Sequence, residues 1–146
     1  GLGERVDVDV AVIDTGIQLN HPDLNVFKNI SFVRGTKNGN DDNGHGTHVA
    51  GTIGGNSYGV AKGVNLVPVR VLDCLGSGTF SGVIAGIDWV INDHQAGVPA
   101  VANLSLGGGY SLAVNDAIAR LVADGVSVVV AAGNSNANGN GGSCDF

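Results

Sequence analysis

The chain has 146 residues, of which 43% are hydrophobic and 14% are charged, and its formal net charge is −6. This length suits one domain, and the apolar fraction is high enough for a packed core rather than a disordered chain. The negative charge and the lack of a basic run argue against nucleic acid or an anionic membrane as a partner. No stretch approaches the roughly 20 apolar residues that a membrane-spanning helix needs.

Strand-like and helix-like segments alternate along the chain. Apolar alternation and short apolar runs predict strands, and apolar residues every three or four positions predict helices. The predicted strands are 6–14, 25–33, 64–72, 101–106 and 127–132, and the predicted helices are 45–54, 81–96 (with Ser81 as N-cap) and 112–124 (closed by Gly125). The polar segment 35–44 is predicted to be a surface loop. This alternation predicts an α/β fold with a parallel sheet, whose active groups lie at the carboxyl ends of strands.

Asp14 ends the first predicted strand, in the sequence VIDTG. A carboxylate at this place is partly buried and needs a partner, for which a histidine N–H is suited. Two alternatives stay open from this motif alone. Asp14 could bond to nearby backbone in a simple turn, or it could belong to an aspartic protease, which needs a second such aspartate and therefore a homodimer here.

The segment GHGTHVAGT places His45 and His48 three residues apart, on one face of the predicted helix. Such a pair also occurs in zinc sites and in helix-capping clusters. Zinc needs further ligands at similar spacing, and His21, His94 and the cysteines do not supply them. A dinucleotide-binding domain is set aside because no G-x-G-x-x-G follows the first strand.

Together, VIDTG and GHGTHVAGT resemble the subtilase family of serine proteases, in which the aspartate comes first, the histidine second and the serine last. Residues 71–79 (VLDCLGSGT) and 103–109 (NLSLGGG) resemble the two cleft-edge segments of the proteinase K and aqualysin branch. Residues 131–134 (AAGN) resemble the segment with the oxyanion-hole asparagine. The resemblance covers roughly residues 6–144 and implies a subtilisin-like parallel sheet with helices on both faces.

The resemblance also implies a role for each matching residue. His45 would be the general base, Asp14 would hold its tautomer, and Asn134 would donate its side-chain N–H to the oxyanion. A polypeptide substrate would pair with two glycine-containing segments. The implied substrate-binding residues are Gly76, Ser77, Gly78, Ser105, Leu106 and Gly107. His48 matches a family position without a proton-transfer role, and we expect it to be structural.

The family's serine stands in a Gly-Thr-Ser-Met-Ala segment, and no such string occurs in these 146 residues, which contain no methionine. We therefore expect residues 1–146 to be the N-terminal part of one catalytic domain, incomplete on the C-terminal side and inactive alone. The expected protein is an extracellular serine endopeptidase, completed by a C-terminal part that carries the serine, for instance as a second chain. The alternative is an inactive peptide-binding fragment or pseudoprotease.

No cofactor is required for this chemistry, although the resemblance makes structural calcium an expectation. Asp23 matches a calcium ligand of some subtilases, and Asp41 and Asp42 are candidates for a weak calcium site or for a solvated acidic loop. We assign no residue as a metal ligand. Cys74 and Cys144 resemble disulfide positions of the aqualysin branch that pair with other cysteines. One of those partner positions is Asp42 here and the other lies beyond Phe146, so both cysteines are expected to be free thiols.

Overall fold

A computed structural model describes residues 6–134 of the chain. Within this part lie five strands and three helices. The strands are β1 (Asp9–Asp14), β2 (Ile30–Ser31), β3 (Asn65–Arg70), β4 (Ala100–Leu104) and β5 (Ser127–Val130), and the helices are α1 (His45–Gly54), α2 (Phe80–Asp93) and α3 (Leu112–Ala123). None of the helices in residues 6–134 has the length and apolar character to cross a membrane.

The five strands form one parallel sheet in the order β2-β3-β1-β4-β5. Because β1 is central, β3 lies on one side of it and β4 on the other. The strand order reverses at β1, and parallel sheets place their binding and catalytic groups outside the carboxyl ends of strands at such a point. Asp14, the last residue of β1, occupies this position.

Both faces of the sheet are covered, as predicted. Val10 and Val12 of β1 lie in a core with residues of α1, whereas Ala11 and Ile13 lie in a second core with α2 and α3. Successive strand residues point to opposite faces, so the apolar run that ends β1 fills both cores. The structure therefore confirms the α/β sheet with helices on both faces.

The predicted strand 25–33 is wrong in length, because β2 contains only Ile30 and Ser31. The Leu66 N–H donates to the carbonyl of Asn25. Pro68 follows Leu66 by two residues in β3, so its backbone nitrogen faces the same neighbouring segment as that of Leu66. Proline has no N–H and therefore cannot donate a hydrogen bond to that segment. Regular pairing with β3 is interrupted there and resumes only at β2.

Helix α1 has its predicted bounds, but α2 begins and ends earlier than predicted. Thr79, not Ser81, is the N-cap of α2, and its side chain accepts a hydrogen bond from the Gly82 N–H at 3.0 Å. Helix α2 ends at Asp93 because the next residue, His94, adopts an extended backbone. Helix α3 ends one residue early, and Gly125 follows it with a φ of 95°, as predicted for a helix-closing glycine.

The other four predicted strands also extend too far at most of their ends, by up to three residues. The apolar run 127–132 is typical of a buried strand, but β5 is not buried, since Val129 and Val130 are 54% and 38% exposed. Within residues 6–134, β5 pairs with β4 alone and lies at the end of the sheet. An apolar run therefore predicts a strand here but not its burial.

Candidate active site

Asp14 and His45 meet at the carboxyl end of β1. His45 is the first residue of α1, and its Nδ1 lies 2.8 Å from Oδ1 of Asp14. The Asp14 side chain is fully buried, whereas 52% of the His45 side chain is exposed. A carboxylate can only accept a hydrogen bond, so Nδ1 carries the proton in this contact. The neutral ring then keeps its lone pair on Nε2, which is the nitrogen able to take up another proton.

Within residues 6–134, only one of the two oxygens of the Asp14 carboxylate accepts hydrogen bonds. Its Oδ1 accepts a second hydrogen bond from the Thr15 N–H at 2.7 Å. Its Oδ2 is buried and has no hydrogen-bond partner among residues 6–134. A buried carboxylate oxygen without a donor raises the free energy of the folded state, so Asp14 is not placed here for stability alone.

The start of α1 is capped by side chains from outside the helix. The N-cap residue, Gly44, has a φ of 110° and no side chain to accept a hydrogen bond. The first three N–H groups of α1 donate instead to three other residues: His45 to Asn43 Oδ1, Gly46 to Thr15 Oγ1 and Thr47 to Asp41 Oδ2, at 3.1, 2.9 and 3.0 Å. These contacts satisfy donors that the helix cannot satisfy itself, and they fix the backbone of His45.

Gly46 allows α1 to begin directly against the turn that follows β1. A Cβ atom at Gly46 would lie 2.0 Å from the carbonyl oxygen of Gly16. No side chain fits at that distance, so any other residue would push the first turn of α1 away from β1. The glycine after His45 therefore keeps His45 within reach of Asp14.

A cleft of about 530 Å³ adjoins His45. The loop after β3 and the segment after β4 line it from the two sides of β1, which lies between those strands. All the predicted substrate-binding residues line this cleft: Gly76, Ser77, Gly78, Ser105, Leu106 and Gly107. The structure thus brings both predicted cleft-edge segments to the same cavity as His45.

Asp73 shapes the first of these cleft-edge segments. Its Oδ1 accepts hydrogen bonds from the N–H groups of Ser77 and Leu75, at 3.0 and 2.9 Å. These donors stabilise the charged carboxylate and lower the pKa of Asp73 below its ordinary value. The Asp73 N–H donates in turn to the Ser77 carbonyl at 2.7 Å. The tight turn that results holds Gly76 at a φ of 78°, a conformation suited to glycine.

Asn134 is the last residue that the structure describes. It is exposed and follows β5 at the same edge of the sheet as Asp14, but it is not among the residues that line the cleft. The oxyanion role of Asn134 therefore stays a prediction. Cys74 is exposed and has no disulfide within residues 6–134, whereas Cys144 lies outside the described residues.

The carboxylates proposed as calcium ligands are already engaged by protein donors. Both oxygens of Asp23 accept from Ser57, whose side-chain and backbone hydrogen bonds lower the pKa of Asp23. Asp42 Oδ2 lies 2.9 Å from the buried guanidinium of Arg70. Asp41 is partly buried, and both oxygens of its carboxylate accept hydrogen bonds. Residues 6–134 contain no group of three or more His, Cys, Asp or Glu that could hold a metal. Structural calcium therefore stays an expectation from the family resemblance.

His48 does not share a site with His45, although both lie on α1. His45 lines the cleft, whereas His48 lines a separate shallow cavity together with His21 and Tyr58. His21 Nδ1 accepts a hydrogen bond from the Asp23 N–H at 3.1 Å. The spacing of three residues therefore does not build a two-histidine site here.

Comparison with known proteins decides between the protease classes. The profile of the subtilase family matches residues 6–144. The chain belongs to the subtilase family. This assignment overturns the aspartic-protease alternative that VIDTG alone left open.

The relatives of this subtilase are named as serine proteases. The chain is 55% identical to the extracellular serine proteinase of Thermus sp. (strain Rt41A) over 131 residues, which cover 88% of the chain and 32% of that protein. It is also 55% identical to alkaline serine exoprotease A of Vibrio alginolyticus over 133 residues, which cover 90% of the chain and 24% of that protein. The chain thus spans about a third or less of these curated relatives.

The fold matches solved structures of the same family. A cold-adapted subtilisin-like serine proteinase superposes with a TM-score of 0.85 at 53% identity, and the match covers 90% of this chain and 48% of that one. Sphericase superposes with a TM-score of 0.80 at 35% identity, over 90% of this chain and 47% of that one. The α/β fold of residues 6–134 is therefore the subtilisin-like fold, over about half the length of each solved chain.

Proposed function

We propose that this chain supplies the acid, the base and the oxyanion-hole asparagine of a secreted serine endopeptidase. His45 takes the proton of a serine hydroxyl on Nε2 and returns it to the leaving amine. Asp14 holds the ring with its proton on Nδ1 and stabilises the imidazolium that forms. Asn134 donates a side-chain N–H to the developing oxyanion. The observation that carries the proposal is the 2.8 Å contact between the buried Asp14 and a half-exposed His45 in a cleft.

The proposed substrate is an extended polypeptide that lies in the cleft. Its backbone pairs with residues 76–78 on one side and residues 105–107 on the other, as a strand added between two edges. Two observations support this arrangement. Both segments face the cavity that His45 lines, and the loop with Gly76 is held in a fixed turn by Asp73.

The nucleophilic serine comes, in this proposal, from polypeptide outside these 146 residues, in the same chain or in a companion chain. The family resemblance places that serine in a segment that this sequence does not contain, so residues 1–146 alone would not hydrolyse peptides. Secretion is proposed because relatives carry names such as extracellular serine proteinase.

A serine-directed fluorophosphonate probe tests the proposal on the whole protein that contains this segment. We expect the probe to label a serine outside residues 1–146, and the His45→Ala variant to lose both labelling and peptide hydrolysis. His48→Ala is the matched control on the same helix and should keep both. Labelling of Ser77 or Ser105, or full activity of His45→Ala, would contradict the proposal. Peptide binding without hydrolysis or label would identify the alternative, a non-catalytic peptide-binding protein.

A further inference from the structure

The carboxylate of Asp41 is the acceptor at the centre of a small hydrogen-bond network beside the proposed catalytic pair. It receives five hydrogen bonds from four residues: Oδ1 accepts from the Thr15 hydroxyl and from the N–H groups of Asn43 and Gly44, and Oδ2 accepts from the N–H and the hydroxyl of Thr47. Partial burial opposes the charge of Asp41. The hydrogen bonds from Gly44, Thr47 and Asn43 outweigh this effect and lower its pKa.

The Thr15 hydroxyl connects this carboxylate to both members of the catalytic pair. Thr15 directly follows Asp14 in the chain, and Gly46 directly follows His45. The hydroxyl donates its proton to Asp41 at 2.8 Å, and its oxygen accepts from the Gly46 N–H at 2.9 Å. A hydroxyl has one proton to donate, so Asp41 fixes its direction and leaves a lone pair for Gly46.

A second threonine makes a parallel connection one residue further along α1. The Thr47 hydroxyl donates to Asp41 Oδ2 and accepts from the Gln18 N–H at 2.9 Å. The Asp41 N–H donates to the Ile17 carbonyl at 3.2 Å. Three segments are thereby joined at one carboxylate: the turn after β1, the loop 41–44 and the first turn of α1.

We infer that Asp41 is a positioning residue for the proposed proton transfer: through Thr15 and the first turn of α1, its carboxylate sets where the His45 ring meets Asp14. This inference rests on the proposed function for its consequence in catalysis. Asp41 does not contact the Asp14–His45 pair directly; it holds the two backbone segments that carry them. A displacement of reacting groups by about 1 Å can lower the rate about 10²-fold.

The sharpest test removes the connecting hydroxyl without changing the volume of the side chain. Thr15 is 1% exposed, and Thr15→Val keeps its shape while it removes the link between Asp41 and Gly46. We expect kcat for peptide hydrolysis to fall by about 10²-fold in Thr15→Val and in Asp41→Asn, with KM nearly unchanged, because the reacting groups and not the cleft segments are displaced. Thr15→Ser keeps the hydroxyl and should restore most of kcat.

Asp42→Asn is the matched control in the same loop. Within residues 6–134, the Asp42 carboxylate contacts Arg70 and Asn40 and neither Thr15 nor α1, so its loss should lower thermal stability and leave kcat unchanged. This control separates a loss of loop stability from a displacement of His45. If Asp42→Asn lowered kcat as much as Asp41→Asn does, the effect would be one of loop stability, and the inference would be wrong.

A proton NMR measurement tests the positioning without any need for catalysis. The proton shared by His45 Nδ1 and Asp14 should give a downfield signal, which Asp14→Asn would identify by removing it. The equivalent proton between His94 Nδ1 and Asp124, also at 2.8 Å, serves as an internal reference. In Thr15→Val and Asp41→Asn we expect the His45 signal to shift or broaden through faster solvent exchange, and the His94 signal to stay in place.

The two readouts distinguish the possible failures. An unchanged His45 signal with unchanged kcat in both variants would overturn the inference. A whole protein without peptidase activity would overturn the proposed function, whereas the NMR signals would still decide on the positioning. If Asp41→Asn lost both signals by unfolding, Thr15→Val would decide the question, because its volume is conserved.

Discussion

Two histidine–aspartate pairs in this molecule have the same contact distance and opposite surroundings. Nδ1 lies 2.8 Å from a carboxylate oxygen both in His45–Asp14 and in His94–Asp124. In the first pair the carboxylate is fully buried and the histidine side chain is 52% exposed. In the second pair the histidine side chain is only 5% exposed and the carboxylate is 35% exposed.

The second ring nitrogen separates the two pairs in function. His94 Nε2 lies 2.8 Å from the Val98 carbonyl, so both of its ring nitrogens face acceptors, and only the doubly protonated ring donates to both of them. The Val98 carbonyl and the Asp124 carboxylate raise the pKa of His94 above its ordinary value of 6.5. His45, by contrast, lines the cleft and engages Asp14 through Nδ1 alone. The same contact thus serves proton transfer in the proposed function of His45 and connects the ends of α2 and α3 at His94.

The largest expected effect comes from changing the buried carboxylate of the first pair. If the proposed function holds, Asp14→Asn should lower kcat of the whole protein about 10⁴-fold, because an amide stabilises the wrong tautomer of the base and cannot stabilise its imidazolium. Peptide hydrolysis by wild type and variant measures this loss. Asp124→Asn is the control and should leave kcat unchanged. Comparable losses of kcat in the two variants would contradict the division of roles.

The second pair should contribute to the stability of the fold. Asp124→Asn leaves the buried imidazolium of His94 with a weaker acceptor and should lower the free energy of unfolding by about 1–2 kcal/mol, a value reduced by the partial exposure of Asp124. Urea denaturation measures this change. Asp88→Asn is the matched control, because the exposed pair Asp88–Arg120 also joins α2 to α3. Its expected effect is below about 0.5 kcal/mol, and an equal effect in the two variants would contradict the special role of His94.

The stability of the fold should depend on pH through His94. Because folding raises the pKa of His94, its contribution to stability is fully present below the ordinary imidazole pKa of 6.5 and is lost as the pH rises through the raised, folded value. Thermal unfolding scans upward from pH 6 should therefore show a decline that His94→Gln lacks. If the His94→Gln variant showed a decline of the same size, groups other than His94 would be its cause.

Sequence reasoning predicted the parallel sheet, the positions of the helices and the meeting of Asp14 with His45, because these depend on local patterns and on two contiguous motifs. It did not predict the contacts that join distant segments. Asp41 was interpreted as a solvated or metal-binding residue, and the pairing of His94 with Asp124 was missed. One signal was present: α1 begins after Gly44, which cannot cap a helix with a side chain, so other residues had to supply the acceptors. Which residues supply them depends on the tertiary structure.

The smallest expected effect comes from a third histidine that belongs to neither pair. His48 lies on the same helix as His45 but is exposed and lines a different cavity. His48→Ala should change the free energy of unfolding by less than about 0.5 kcal/mol, as most exposed substitutions do. It should leave kcat within about twofold, whereas loss of a triad histidine lowers kcat about 10⁶-fold. Denaturation and peptide hydrolysis measured on the same samples check both values. A large loss of kcat in His48→Ala would mean that His48 also takes part in catalysis. Contact with Asp14 would then not be enough to identify the catalytic histidine of α1.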